Sequence, residues 1–414
     1  MTASSSRPRN ARYSPSLHGP GTDIADDCRH YLGDRPCKAN RLCRGCESYA
    51  PLAHRICIIK LGALGDVIRT LCILPSLHER YGDAHITWVS KANGCRMIAG
   101  HPQIDRVLEF DALTAMTLAA ERFDVVINLD KEPQPCGLAA ALFARTKLGV
   151  IAGPSGRPVP ANAEAAGYFK LGLSDELKFH CNSKGYPQLV HEALGLPWTG
   201  HRYELTPDAD DATRVRAELR ARGWRDGEIT LGVNVGAATT FANKMWPADR
   251  IAATLRALRR RGATAQVMLL GGPAERETIA AVRSELARSG DDAGVIDAGT
   301  EHSEQAFVAV VDACDVVLAG DTMAMHVAIA LGKHVVAFFG PTCEQEIDLF
   351  GRGEKLIAAT PCSPCYKRIC DHDDACLAAV SAAQAVDALL RALRAAQAAP
   401  TVKVMPLPVL RKVG

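Results

Sequence analysis

The chemistry that this 414-residue sequence could carry is concentrated at turns that follow short apolar runs. In VVLAGDTMAMHVAIALGKHVVAFFGPTCEQE, residues 316–346, two runs of strand type enclose a small-residue helix, and each run ends in a turn. Gly320, Asp321, Thr322 and His326 gather at the first turn; Gly340, Pro341 and Thr342 form the second. Ligands of open parallel sheets bind at the carboxyl ends of the strands, so these residues stand where a phosphate is held or a proton moved. A single Asp in that place is more often a helix cap, so its company decides the reading. That company includes NVGAATTFANKMWPADR, residues 234–250, which follows another strand and offers Thr239, Thr240 and Lys244 just before a helix beginning at Pro247. An ammonium beside a helix N-terminus suits a diphosphate, although a lysine in a loop is ordinarily just solvated. KLGALGDVIRT, residues 60–70, sets Gly62 and Gly65 at a third strand-to-helix turn with Asp66 at the helix start, and Asp130 closes the strand VVINLD. Either carboxylate could act as a general base, and spacing alone does not choose between them.

Eight of the 15 cysteines fall into two groups of four. Cys362, Cys365, Cys370 and Cys376, spaced C-x2-C-x4-C-x5-C, can wrap one tetrahedral ion, and four thiolates suit zinc or a single iron. Such a closed site has a structural role. Cys28, Cys37, Cys43 and Cys46 are spread more widely, so a second metal knuckle competes there with a loop of packed thiols. Most of the seven single cysteines are read as small buried apolar residues.

The elements that must position these groups alternate. Strand patterns at RICIIK, ITWVS, RVLEF and VVINLD, with helical patterns at 112–122 and 137–145, make a parallel, doubly wound sheet over residues 52–206. Residues 154–187 are poorly periodic and are expected to form loops near a cleft. After a polar, helix-rich connector at 207–228 the alternation restarts and fills residues 229–399. The helix at about 383–396 follows the last strand and is a candidate to cross back to the first domain. Residues 1–51 comprise a disordered arm to about residue 25 and the first Cys-rich segment; 400–414 form a tail.

Composition excludes several classes. With 48 basic against 46 acidic residues, the net charge of +2 gives no bulk attraction to nucleic acid or to membranes. There is no apolar run long enough to span a bilayer and no signal-peptide core, so the expected location is the cytoplasm, where clustered cysteines stay reduced. G-x-G-x-x-G follows neither domain's first strand, which disfavours a dinucleotide-dependent enzyme.

In their order and spacing KLGALGDVIRT, TTFANKMWP, GGPAERE and GDTMAMHVAIALGKHVVAFFGPT resemble glycosyltransferase family 9, the ADP-heptose heptosyltransferases, over residues 55–345. The resemblance implies an α/β fold of the GT-B type, two Rossmann-like domains facing a cleft. It also implies an ADP-heptose donor held by the second domain and inversion at the anomeric carbon without a catalytic metal. Residue by residue, it implies Asp66 as the base on the acceptor side, with Asp130 the second candidate, and Lys244 and Thr240 at the donor diphosphate. Glu275 or Glu277 falls near the nucleoside, and Asp321, Thr322 and His326 form the donor-pocket turn. Thr239 and Gly340, in the same turns, are read as donor-binding. One departure is Met323, which stands where the family usually has Gly.

The two Cys-rich segments are not features of the lipopolysaccharide-core enzymes. They are similar to the bacterial autotransporter heptosyltransferases, a branch that attaches heptose to serine hydroxyls of autotransporter adhesins and carries a four-cysteine iron site. That likeness implies iron at Cys362, Cys365, Cys370 and Cys376, an autotransporter passenger protein as acceptor, and a homo-oligomer. The alternatives are a lipopolysaccharide-core heptosyltransferase and, from another class, a non-catalytic nucleotide-sugar-binding or assembly protein. Retention of both Lys244 and Asp321 speaks against the last.

Overall fold

The computed structural model describes residues 24–237, 243–372 and 375–398. The expected tail and almost all of the expected arm lie outside the described residues. Six strands, β1 (His54–Ile59), β2 (Ala84–Ser90), β3 (Arg106–Glu109), β4 (Arg122–Asn128), β5 (Phe143–Ala152) and β6 (Pro158–Pro160), form a first sheet in the order β3-β2-β1-β4-β5-β6. All neighbours are parallel except β6, which returns antiparallel along β5. A second, wholly parallel sheet of β7 (Thr230–Asn234), β8 (Gln266–Leu270), β9 (Val295–Asp297), β10 (Val316–Gly320), β11 (His334–Phe339) and β12 (Gly353–Ile357) runs β12-β11-β10-β7-β8-β9.

Helices cover both faces of each sheet, which is why the central strands are apolar on both sides rather than alternating. The first domain carries α1 (Leu64–Thr70), α2 (Ile73–Tyr81), α3 (Ala92–Met97), α4 (Ala112–Ala119), α5 (Pro133–Ala141), α6 (Ala165–Leu171) and α7 (Tyr186–Ala193). In β1, Ile56 and Ile58 face the core shared with α1 and α2, while Cys57 and Ile59 pack with Leu118 and Leu138 on the other face. The helix α8 (Ala209–Ala221) leads into the second domain, whose layers are α9 (Ala248–Arg260), α10 (Arg276–Ala287), α11 (Glu304–Asp312), α12 (Met323–Ala330), α13 (Ala375–Ala379) and α14 (Ala382–Ala398).

Three local expectations change. The helix expected over 137–145 begins earlier, because Pro133 and Pro135 suit a first helical turn, and it ends at Ala141. The residues after it, FARTKLGVIA, make β5, a strand whose half-exposed start hid its alternation. The weakly periodic stretch 154–187 holds β6, α6 and a single π-type turn at Glu176–Cys181, not loops alone. Finally, α14 lies against α9 and strands β10–β12, burying Ala385, Val386 and Leu389 in the second domain's own core. Its apolar stripe matches that sheet, so it does not serve as a crossing back to the first domain.

Candidate active site in the interdomain cleft

On the first domain's carboxyl edge, β1 and β4 are neighbours, with Ile59 paired to Asn128. This register brings the two residues beyond the strand ends, Lys60 and Asp130, together as a buried ion pair. The Asp130 carboxylate also accepts the backbone N–H of Leu61 and, at 3.1 Å, that of Gly62. Its oxygens are thus committed to holding the turn. Asp66 differs: it sits in the first turn of α1, its side chain is 33% exposed, and Arg69 reaches it at 2.8 Å. Burial alone would raise the Asp66 carboxyl, but Arg69 and Lys60 outweigh that and hold it at about 2.

The second domain supplies the facing wall. Lys244 Nζ stands 3.1 Å from Asp321 Oδ2 and donates to the Asp321 carbonyl at 3.2 Å, so the ammonium is aimed by a carboxylate at the end of β10. His326, one turn into α12, lies 3.8 Å from Asp321 Oδ1 and 3.4 Å from the Tyr203 hydroxyl. Burial drives its imidazole down to about 4 despite the upward pull of Asp321, so it is neutral at ordinary pH. Asn234, closing β7, donates to Thr322 Oγ1 at 3.3 Å. Glu275 is buried against the backbone of Gly236 and accepts the Gly272 N–H at 2.8 Å, whereas Glu277 is exposed on α10. Thr239 and Thr240 lie outside the described residues. Gly340 faces the Cys-rich segment: its carbonyl accepts from Ser363, and a Cβ there would stand 2.8 Å from Cys376 Sγ.

The two walls meet at His326. A Cβ on Gly65 would fall 2.5 Å from His326 Cδ2, so α1 and α12 approach this closely only because residue 65 has no side chain. Gly65→Ala is therefore expected to cost about 1–3 kcal/mol of stability and to lower kcat/KM at least tenfold, through forced separation of the walls. Thermal melts and steady-state kinetics check this; unchanged values would mean that the His326 ring swings aside freely. A second bridge runs from Asp66 through Arg69 to Glu346 of the second domain at 3.6 Å, and on to Lys178 at 3.8 Å. Lys178 lies 3.9 Å from the centre of the Tyr366 ring, which stacks on Phe179 at 5.4 Å. The Cys-rich segment thereby reaches across to the first domain.

Lys60, Arg69, Tyr203 and Glu346 had no assigned role in the sequence. The signal available for Lys60 was a cation at the buried end of an apolar strand, which demands a partner. Nothing local marks Glu346 or Tyr203, because their partners are distant in the chain.

Cys362, Cys365, Cys370 and Cys376 line one cavity of about 220 Å³, and the Cys370 sulfur accepts the His372 N–H at 3.4 Å. The donors therefore suit a thiophilic ion in kind. Among the described residues, however, no three His, Cys, Asp or Glu side chains form a ready-made metal cage, so an ion would have to draw the thiols inward. No helix among the described residues is long and apolar enough to cross a membrane.

The sequence profile of "Glycosyltransferase family 9 (heptosyltransferase)" matches residues 114–375, more than half of the chain. Lipopolysaccharide heptosyltransferase 3 of Escherichia coli (strain K12) is 24% identical over 292 residues, which cover 67% of this chain and 80% of that protein. Among solved structures, the glycosyl transferase family 9 protein of Veillonella parvula DSM 2008 superposes with a TM-score of 0.66 at 20% identity, covering 83% of this chain and 98% of that one. The E. coli ADP-heptose lps heptosyltransferase II gives 0.63 at 17% identity, covering 83% and 100%. Both likenesses agree with the two-domain GT-B architecture.

Proposed function

The chain belongs to glycosyltransferase family 9, the heptosyltransferases, and from that premise we propose that it is an inverting enzyme transferring heptose from ADP-heptose to serine hydroxyls of an autotransporter passenger protein. The observation that carries the catalytic part is the convergence of Asp66, from the first domain, and Lys244 with Asp321, from the second, around the neutral His326. In one displacement the acceptor oxygen attacks the anomeric carbon while the bond to ADP breaks. Asp66 takes the hydroxyl proton, and Lys244 with neighbouring backbone N–H groups holds the charge that develops on the departing diphosphate. Asp321 orients the ammonium, and His326, hydrogen-bonded to Tyr203, keeps the turn in register. In the same reading Glu275 is assigned to the nucleoside, and Thr239, Thr240, Thr322 and Gly340 to the phosphates.

A protein acceptor is supported by the two Cys-rich segments, the part of the sequence in which this chain departs from lipopolysaccharide-core enzymes. In this reading Cys362, Cys365, Cys370 and Cys376 hold iron, with zinc as the alternative; four thiolates leave no open position, so the ion rigidifies the segment. A homo-oligomer, which rests on the same resemblance, and cytoplasmic residence complete the proposal. A lipopolysaccharide-core acceptor is the second reading, favoured by the likeness to the E. coli lipopolysaccharide enzyme. Intact mass of a passenger fragment co-expressed with this chain and an ADP-heptose supply is expected to show added heptose units. An unmodified fragment, alongside modification of lipopolysaccharide core acceptors, would replace the first reading with the second.

A further inference from the structure

The segment before β1 poses a stability problem. Residues 24–52 contain no helix and no strand beyond a single bridge between Cys28 and Pro51. Their large apolar side chains point outward, with Leu42 83%, Leu32 49%, Ile24 45% and Tyr31 38% exposed; Ala25 and Cys46 are the apolar residues buried there. A chain of this length with almost no core of its own needs a cross-link to hold one shape. The segment nevertheless folds into defined turns: Cys28 O accepts from Tyr31 N at 3.0 Å, Cys37 O from Asn40 N at 2.9 Å, and Cys43 O from Cys46 N at 3.0 Å. Two of them pass through left-handed residues, Asn40 at φ 47° and Gly45 at φ 68°. Three of the four cysteines thus open a tight turn, and all four, with His30, line one cavity of about 20 Å³. That is room for one water or one ion. None of the four is in a disulfide.

We propose that Cys28, Cys37, Cys43 and Cys46 bind a single thiophilic metal ion, zinc or iron, as a structural site separate from the one near the C-terminus. The thiols stand around the cavity rather than in a closed cage, and the ion supplies both the contraction and the missing cross-link. The location makes the role structural. The Arg29 N–H donates to Ala50 O and the Leu52 N–H to Asp27 O, both at 2.8 Å. The Arg29 side chain meets Asp83, in the turn before β2, at 2.9 Å. This pins the segment to the amino edge of the first sheet, opposite the carboxyl edge that bears Asp66 and Asp130. Loss of the ion should loosen the segment and leave the cleft intact.

The test is metal content of the full-length chain, purified under reducing conditions, measured by inductively coupled plasma mass spectrometry in a Cys362→Ser/Cys365→Ser background. About one equivalent per chain is expected to remain, and adding Cys28→Ser and Cys37→Ser is expected to remove it. The background separates this site from the C-terminal one: if the latter binds nothing, its variant simply matches the starting protein. Should the quadruple variant misfold, cobalt substitution of the background variant gives an independent reading, with the intense thiolate-to-cobalt absorption of a four-sulfur site expected. Chelation is further expected to open residues 24–50 to protease while ADP binding is unchanged. A background variant that holds no metal and gives no cobalt–thiolate absorption would overturn the proposal.

Discussion

Asp66→Asn is expected to lower the rate of heptose transfer by about 100- to 10,000-fold while leaving folding and donor binding nearly intact. Asparagine keeps the size of the side chain and cannot take the acceptor proton. The matching change at Asp130 should behave differently. Asp130 is 3% exposed, paired with Lys60 and bonded to two backbone N–H groups, so Asp130→Asn strands a buried ammonium and should cost about 3–5 kcal/mol of stability. Melting curves and single-turnover rates of the two variants separate the roles. A stable, inactive Asp130→Asn beside an active Asp66→Asn would exchange them. Because Arg69 and Lys60 hold Asp66 near 2, it is ionised throughout the working range, and no acid limb from this group is expected in kcat/KM above about pH 4. The sign for stability follows: the Asp66–Arg69 interaction contributes fully above the ordinary carboxylate pKa and is lost as pH falls through 2.

Lys244→Ala is expected to reduce transfer by roughly 100- to 1,000-fold, about 2.7–4 kcal/mol of transition-state stabilisation. The ammonium stands 3.1 Å from Asp321 and is 16% exposed, so its removal deprives Asp321 of its nearest cation and a bound diphosphate of its counter-charge. The loss should therefore appear mostly in kcat and in ADP affinity, and a Lys244→Arg variant should recover part of it through charge alone. Steady-state kinetics with ADP-heptose decide the matter; normal turnover in Lys244→Ala would remove this residue from the diphosphate site. The sequence before Lys244 also bears Thr239 and Thr240, so the same measurement on Thr240→Ala would test whether Thr240 supplies a further phosphate contact.

Much of the architecture was legible because it is encoded locally. Apolar runs of four to six residues ending in Gly- or Asp-bearing turns and followed by helical patterns mark βα units, and repeated βα units have few ways to pack other than as parallel sheets covered on both faces. The turns at Asp66, Asp321 and Lys244 could be named from the sequence for the same reason: strand ends define the edge at which ligands bind. β5 escaped because, near the sheet edge, half of its side chains are exposed and its signal merges with the small-residue helix before it.

Which carboxylate is locked into its turn and which keeps an exposed face at the cleft was decided only in three dimensions. Asp66 and Asp130 occupy equivalent-looking strand-to-helix turns, and nothing within either motif distinguishes them. The register of β1 on β4 does so, by bringing Lys60 against Asp130 across 70 positions of chain and leaving Asp66 to Arg69 and the cleft. Likewise, Gly65 reads in the sequence as one glycine of a strand-to-helix turn, but in the fold the His326 ring packs where its side chain would be, and Glu346 meets Arg69 from the other domain. Local periodicity fixes what each segment becomes because hydrogen bonding and burial of a single element depend on neighbours in sequence. Ionisation, commitment and access depend on desolvation and on partners far along the chain, and those exist only once the two sheets have packed.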